Sequence, residues 1–188
     1  MNVFDFDNTI YDGESGVDLF RFYLKRYPDL LKFTPKVAAA LIRYKQHKIT
    51  VDEAIALYAP IIEDFLRRLE DPERDMREFW DLHQHKIKPF YENLRREDDL
   101  IISASPETEL AEICGRIGVK CFLGSVIDDD TRQITHFNFR QNKVAYFRQK
   151  YPDAEIDTLF TDSFNDRWLM EIAKHVVLVD GDKYRRIK

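Results

Sequence analysis

The sequence predicts an α/β protein, a doubly wound parallel sheet with an all-helical domain inserted into it. Three observations carry this expectation. An apolar start, Val3-Phe4 with Phe6, reads as a short first strand. From Val17 to Trp80 apolar residues recur at three- and four-residue spacing, a helical stretch too long for an ordinary crossover. After Pro89 the rhythm changes to strand-helix alternation, which implies parallel strands with helices packed on the sheet. The expected division is residues 1–12 and 89–188 for the α/β core, and 13–88 for a helical cap.

Each element has its own warrant. In the cap, "VDLFRFYLKRY", "PKVAAALIRYKQHK" and "VDEAIALYAPIIEDFLRRLE" are amphipathic at the helical period. Pro35 suits a helix start, and Thr50 or Asp52 can cap the third of these helices. "DPERDMREFWDLHQHK" makes a fourth helical segment ending near Pro89. In the core, "DLIISAS" is a near-continuous apolar run, the pattern of a strand buried on both faces. "PETELAEICGRIG" follows as a helix closed by Gly118, then "VKCFLG" as a strand and "SVIDDDTRQITHF" as a hairpin around an acidic turn. "NKVAYFRQKYP" and "DRWLMEIAKH" read as helices, "IDTLFTDS" as a strand and "VVLVDGD" as the last strand.

Composition removes several classes. The 188 residues, 44% hydrophobic and 34% charged, suffice for one core and an insertion and exclude a disordered chain. A formal net charge of -5 argues against nucleic acid as a partner. No apolar run is long enough to span a membrane and no signal-peptide core follows Met1, so a cytoplasmic protein is expected. Cys114 and Cys121 are expected as buried, reduced thiols.

In open α/β sheets the chemistry sits beyond the carboxyl ends of the strands. Those ends carry Asp5, Asp7 and Thr9, then Ser103 and Ser105, then Asp162, Asn165 and Asp166, with Lys143 at the start of a helix. Acids gathered on one edge repel unless something compensates them. A hard divalent cation with oxygen ligands is the simplest compensation, and magnesium is the usual choice beside a phosphate. A hydroxyl and an ammonium then suit the phosphate oxygens.

At this point the sequence resembles the haloacid dehalogenase superfamily. "DFDNT" matches its first motif, DxDxT, and "IISAS" its second, an apolar strand ending in Ser or Thr. Lys143 matches the lysine of the third motif, and "FTDSFND" the paired acids of the fourth. The motifs fall in the family's order along the whole chain, and the helical insert after the first is similar to the phosphoserine-phosphatase-like branch. The resemblance implies a phosphatase acting on a small phosphorylated metabolite. Asp5 would be the nucleophile, forming an aspartyl-phosphate, and Asp7 the acid that protonates the leaving alcohol and then deprotonates water. Mg2+ would be held by Asp5, the backbone carbonyl of Asp7, and Asp162. Ser103, the adjoining Ala104 and Lys143 would hold the phosphoryl oxygens, Asn165 and Asp166 would orient Lys143 or metal-bound water, and Thr9 would brace the loop. Phosphotransfer or mutase chemistry would use the same intermediate, and a non-catalytic phosphate-binding module would use the same scaffold. Asp7 favours hydrolysis, since it can activate water in the second step.

Some residues admit plainer readings. Ser105, followed by Pro106, can cap a helix as well as touch phosphate, and Asp166 can be a helix-start acid. His83 and His85, two residues apart, face different sides of a helix end. Asp128 to Asp130 read as a solvated turn, and Asp180 lies past the last strand, where it could approach the site. The substrate-facing signal is mixed. Glu14 falls where phosphoserine phosphatases place a glutamate for the substrate amine, though it also suits a helix N-terminus. The segment in which those enzymes carry an arginine for the carboxylate offers Ala56, Leu57 and Tyr58 instead. The first half of the cap is basic, with Arg21, Lys25, Arg26, Lys32, Lys36, Arg43, Lys45 and Lys48. Such a run reads as the wet face of amphipathic helices, or as a surface that steers anions.

Overall fold

The computed structural model describes residues 1–33, 35 and 51–188. Among these residues seven strands form one sheet: β1 (Asn2–Phe4), β2 (Leu100–Pro106), β3 (Cys121–Ile127), β4 (Ile134–His136), β5 (Thr158–Thr161), β6 (His175–Asp180) and β7 (Lys183–Arg186). Their order is β4-β3-β2-β1-β5-β6-β7. The five central strands are parallel, whereas β4 and β7 are antiparallel edges. The helices are α1 (Ser15–Arg26), α2 (Val51–Leu66), α3 (Pro72–His83), α4 (Pro89–Leu94), α5 (Glu107–Ile117), α6 (Gln141–Lys150) and α7 (Arg167–Ile172). The doubly wound α/β expectation is met.

Alternation along the strands builds the two faces of the core. Phe4 and Ile101 point to one face, where Phe6, Phe79, Trp80, Tyr91 and Leu110 are buried. Val3, Leu100 and Ile102 point to the other, against Phe147, Leu159 and Leu169. A smaller cluster of Tyr23, Leu30, Leu69 and Met76 lies among the inserted helices. Helix α3 belongs to both systems, because Met76 enters the small cluster while Phe79 and Trp80 sit in the sheet-face core. Its start is fixed by Asp71, whose carboxylate accepts from the Arg74 N–H at 2.9 Å, with Pro72 in the first turn.

The inserted segment leaves and returns through paired chain. Tyr11 bridges Ile87 in antiparallel fashion, the Asp12 N–H donates to the Lys86 carbonyl at 2.8 Å, and the Lys88 N–H donates to the Ile10 carbonyl at 2.8 Å. This pairing anchors the insert beside the loop that carries Asp5 and Asp7.

Three expectations change. The last strand is not "VVLVDGD" but β7, which the sequence conceals because Lys183–Arg186 is a wholly exposed, charged edge with no apolar alternation. Cys121 is half-buried rather than buried, although both cysteines are free as expected. Asp180 is exposed and belongs to the β6–β7 hairpin, and the Gly181 carbonyl beside it is what reaches inward. The "PKVAAALIRYKQHK" helix beyond Pro35, the Thr50 cap, and Lys36, Arg43, Lys45 and Lys48 lie outside the described residues, whereas Asp52 falls inside α2. The described basic side chains Arg21, Arg26 and Lys32 pair with Asp18, with Asp75 and Glu78, and with Asp29.

Candidate active site

The chain order runs outward from β1 in both directions, so the switch point of the sheet lies at β1, between β2 and β5. There the Asp5 N–H makes a last ladder bond, 2.9 Å to the Phe160 carbonyl, and the chain turns sharply. The Phe6 carbonyl accepts from the Ile10 and Tyr11 N–H groups at 2.8 and 2.9 Å. Asn8 takes the left-handed conformation this turn needs, with φ 56°, which asparagine tolerates.

Asp5 is nearly buried, and its Oδ1 accepts from Lys143 Nζ at 2.7 Å. The same ammonium lies 2.8 Å from Asp166 Oδ1, whose Oδ2 accepts from Thr161 Oγ1 at 2.9 Å. Lys143 therefore ties the end of β1 to the end of β5 from the first turn of α6. Asp7, two residues on, has different partners. Its Oδ1 accepts from the Ser15 N–H at 2.6 Å, at the first residue of α1, and its Oδ2 accepts from Ser105 Oγ at 3.2 Å. The two neighbouring acids thus occupy different environments, one on a cation and one on neutral donors.

The end of β2 is held rigidly. Ser103 Oγ accepts from the Ser105 N–H at 3.0 Å, and the Ser103 carbonyl accepts from Asn138 Nδ2 at 2.9 Å. Asn138, itself buried, also donates to the Leu123 carbonyl at 3.1 Å, and Ser125 Oγ donates to the Ala104 carbonyl at 2.7 Å. Gly124 permits this closeness, since a Cβ there would stand 2.5 Å from the Ser105 carbonyl oxygen.

Charge is unbalanced here. Burial pushes the Asp5 carboxyl well above the usual range, Lys143 pulls it back, and Asp166 and Asp7 add to the rise. Burial also raises Asp7, against the hydrogen bonds from Ser15 and Ser105. Asp162, half-buried, is pushed up to about 6 by burial, then by the charges of Asp166 and Glu14. The donor set fits a hard cation, because burial raises Asp5 and Asp162 alike and added positive charge would favour the ionised form of each. Among the described residues no three His, Cys, Asp or Glu side chains converge.

The remaining expected residues divide. Glu14 accepts from Asn8 Nδ2 at 2.7 Å and makes no side-chain cap to α1. Its effect on Asp162 places its charge toward the site. Thr9 is fully buried, and its Oγ1 has no hydrogen-bond partner. Asn165 is exposed on the turn before α7, where its N–H donates to Ser163 Oγ at 3.1 Å. Ser105 bonds Asp7 rather than capping α5, and His83 bonds the Phe79 carbonyl at 2.8 Å.

Sequence reasoning passed over Lys88 and Asn138. Lys88 is buried, and its ammonium donates to the carbonyls of Asn8 and, at 3.1 Å, Gly181. It pins the turn after Asp7 from the returning chain. Its position just before the Pro89 helix was the available signal.

The fold and site define an α/β protein with acids and one lysine gathered at the switch point of a parallel sheet. A family model described as haloacid dehalogenase-like hydrolase matches residues 3–171, and the chain belongs to that family. Among solved structures, a protein of unknown function from Bordetella pertussis Tohama I matches at TM-score 0.72 and 18% identity, over 95% of this chain and 88% of that one. A phosphoserine phosphohydrolase-like protein from Francisella tularensis matches at TM-score 0.62 and 16% identity, over 95% and 87%. A phosphoserine phosphatase from T. onnurineus matches at 0.58 and 16%, over 94% and 81%. At these identities the likeness establishes the fold. Comparison with curated protein sequences finds no match.

Proposed function

We propose that the protein is a magnesium-dependent phosphatase of a small cytosolic phosphomonoester, working through an aspartyl-phosphate on Asp5. The observation that carries this reading is the division of labour between Asp5 and Asp7. Asp5 sits on the Lys143 ammonium, which favours its carboxylate, the form that attacks phosphorus. Asp7 sits among neutral donors with no cation on its carboxylate, an environment that suits a carboxyl that carries a proton.

In the first step Asp5 Oδ bonds to phosphorus, the ester P–O bond breaks, and Asp7 gives its proton to the leaving alkoxide. In the second step Asp7 takes a proton from water as the oxygen attacks phosphorus, and the Asp5–phosphorus bond breaks to release phosphate. Lys143, Ser103 and the Ala104 backbone would hold the phosphoryl oxygens, and Asp166 would keep Lys143 in place. Mg2+, held by Asp5, Asp162 and the Asp7 carbonyl, would supply charge neutralisation between anionic nucleophile and anionic substrate. Thr9 would brace the turn, and Asn165 would reach the site only through water.

Residues 13–88 would act as the cap that selects the leaving group. Glu14 supports a substrate with an amine near the ester. The absence of arginine at Ala56, Leu57 and Tyr58 speaks against a carboxylate beside it. A panel of phosphometabolites with magnesium tests both points. Phosphorylated amino alcohols are expected to be hydrolysed with higher kcat/KM than phosphoserine, and a clear preference for phosphoserine would contradict the assignment. Hydrolysis of none of them, or of a generic aryl phosphate, by folded protein would contradict the phosphatase reading itself.

A further inference from the structure

Lys88 carries a charge where three conditions disfavour one. It is 5% exposed, it stands at the N-terminal end of α4 just before Pro89, and among the described residues no carboxylate pairs with it. An ammonium taken out of water is costly unless an anion compensates it, and the positive end of a helix is the adverse end for a cation. Its ammonium donates instead to two backbone carbonyls, of Asn8 and, at 3.1 Å, Gly181. A neutral side chain would avoid all three penalties. In folded proteins such local inconsistencies gather at functional sites.

What Lys88 holds is Asn8, the residue next to Asp7. The Asn8 N–H donates to the Gly13 carbonyl at 2.9 Å, and its Nδ2 donates to Glu14 Oε1 at 2.7 Å, both on the chain leaving for the insert. Its carbonyl accepts from Lys88 on the returning chain, whose own N–H donates to the Ile10 carbonyl at 2.8 Å. The Asn8 backbone is left-handed at φ 56°, a conformation that persists in a residue with a side chain only where its surroundings fix it. Closing the chain between Asn8 and Gly13 brings residue 15 back to residue 7, and there the Ser15 N–H donates to Asp7 Oδ1 at 2.6 Å. Lys88 thus acts on Asp7 through the turn without touching it. We infer that Lys88 and Asn8 are positioning residues for Asp7, a clamp closed from both crossings of the chain between sheet and insert that fixes the loop carrying the Asp7 carboxyl.

This inference rests on the phosphatase reading, in which Asp7 hands a proton to the leaving alkoxide, and its test separates the two. A nitrophenolate leaves without that proton and an alkoxide does not, so a misplaced Asp7 is read as a selective loss. With magnesium present, kcat/KM is measured for p-nitrophenyl phosphate and for a simple alkyl phosphate in the wild type, Asp7→Asn, Lys88→Met and Asn8→Gly, alongside thermal melting. The alkyl-to-aryl ratio is taken within each enzyme, so it does not depend on the fraction folded. Lys88→Met removes the donor at similar length, and Asn8→Gly removes the amide while suiting the left-handed turn. The ratio is expected to fall about tenfold in Lys88→Met, about threefold in Asn8→Gly and furthest in Asp7→Asn. Residues that merely supported the fold would lower both esters alike. An unchanged ratio in Lys88→Met or in Asn8→Gly, beside a lowered one in Asp7→Asn, overturns the inference and leaves the phosphatase reading intact. If Lys88→Met does not fold, Asn8→Gly decides by the same criterion. A wild type that hydrolyses neither ester, or an unchanged ratio in Asp7→Asn, overturns both.

Discussion

Asp5→Asn should remove turnover, lowering kcat by on the order of 10³-fold or more, while the protein remains folded. The amide is nearly isosteric and keeps an oxygen for Lys143, so the change subtracts the nucleophile more than the contact. It also takes one negative charge from a neighbourhood where the charges of Asp166 and Asp7 raise Asp5 and that of Asp166 raises Asp162. Melting should therefore stay close to wild type or rise. Equal hydrolysis by wild type and Asp5→Asn, measured on the same aryl phosphate, would remove Asp5 from the chemistry.

Lys143→Met should have the largest effect on stability. The ammonium is 4% exposed and serves Asp5 and Asp166 at 2.7 and 2.8 Å. Removing it leaves two buried carboxyls without their cation, the situation that costs about 3–5 kcal/mol when one partner of a buried pair is deleted. The pH dependence has a definite sign. Lys143 opposes the rise that burial imposes on Asp5, so in the variant the folded pKa of Asp5 climbs further above its unfolded value of about 3.9. A group whose folded pKa is raised keeps its stability below the unfolded pKa and loses it as pH rises through the folded value. The deficit of Lys143→Met in chemical denaturation should thus be small near pH 4 and full near pH 8. A deficit independent of pH would mean that Lys143 contributes packing and not charge.

The parts of the fold that announced themselves were those with a hydrophobic period. "DLIISAS" and "DTLFT" are buried on both faces, so each is apolar nearly throughout, and β2 and β5 lie where those runs stand. β7 carries four exposed charged or polar-tipped residues and pairs only with β6, so nothing in its pattern separates it from a polar tail. The site was legible for a related reason. Asp5, Ser103 and Asp162 stand where apolar strands end, and an acid there has no structural purpose. Lys143 was legible only through its motif, since α6 is weakly amphipathic and its buried lysine looks like any surface lysine.

The supporting residues stayed hidden because three-dimensional neighbours define them. Asn138 stitches the Ser103 and Leu123 carbonyls from an irregular segment whose sequence, "HFNFR", predicts nothing.

The account stands on phosphate passing through Asp5, and that step can be observed directly. The enzyme is mixed with a radiolabelled phosphomonoester and magnesium, quenched in acid within a turnover, and digested for peptide mapping. The label should appear on the amino-terminal peptide containing Asp5, should accumulate when Asp7→Asn slows the second step, and should be absent from Asp5→Asn. Release of phosphate with no labelled peptide, or label on a peptide that lacks Asp5, would contradict the account.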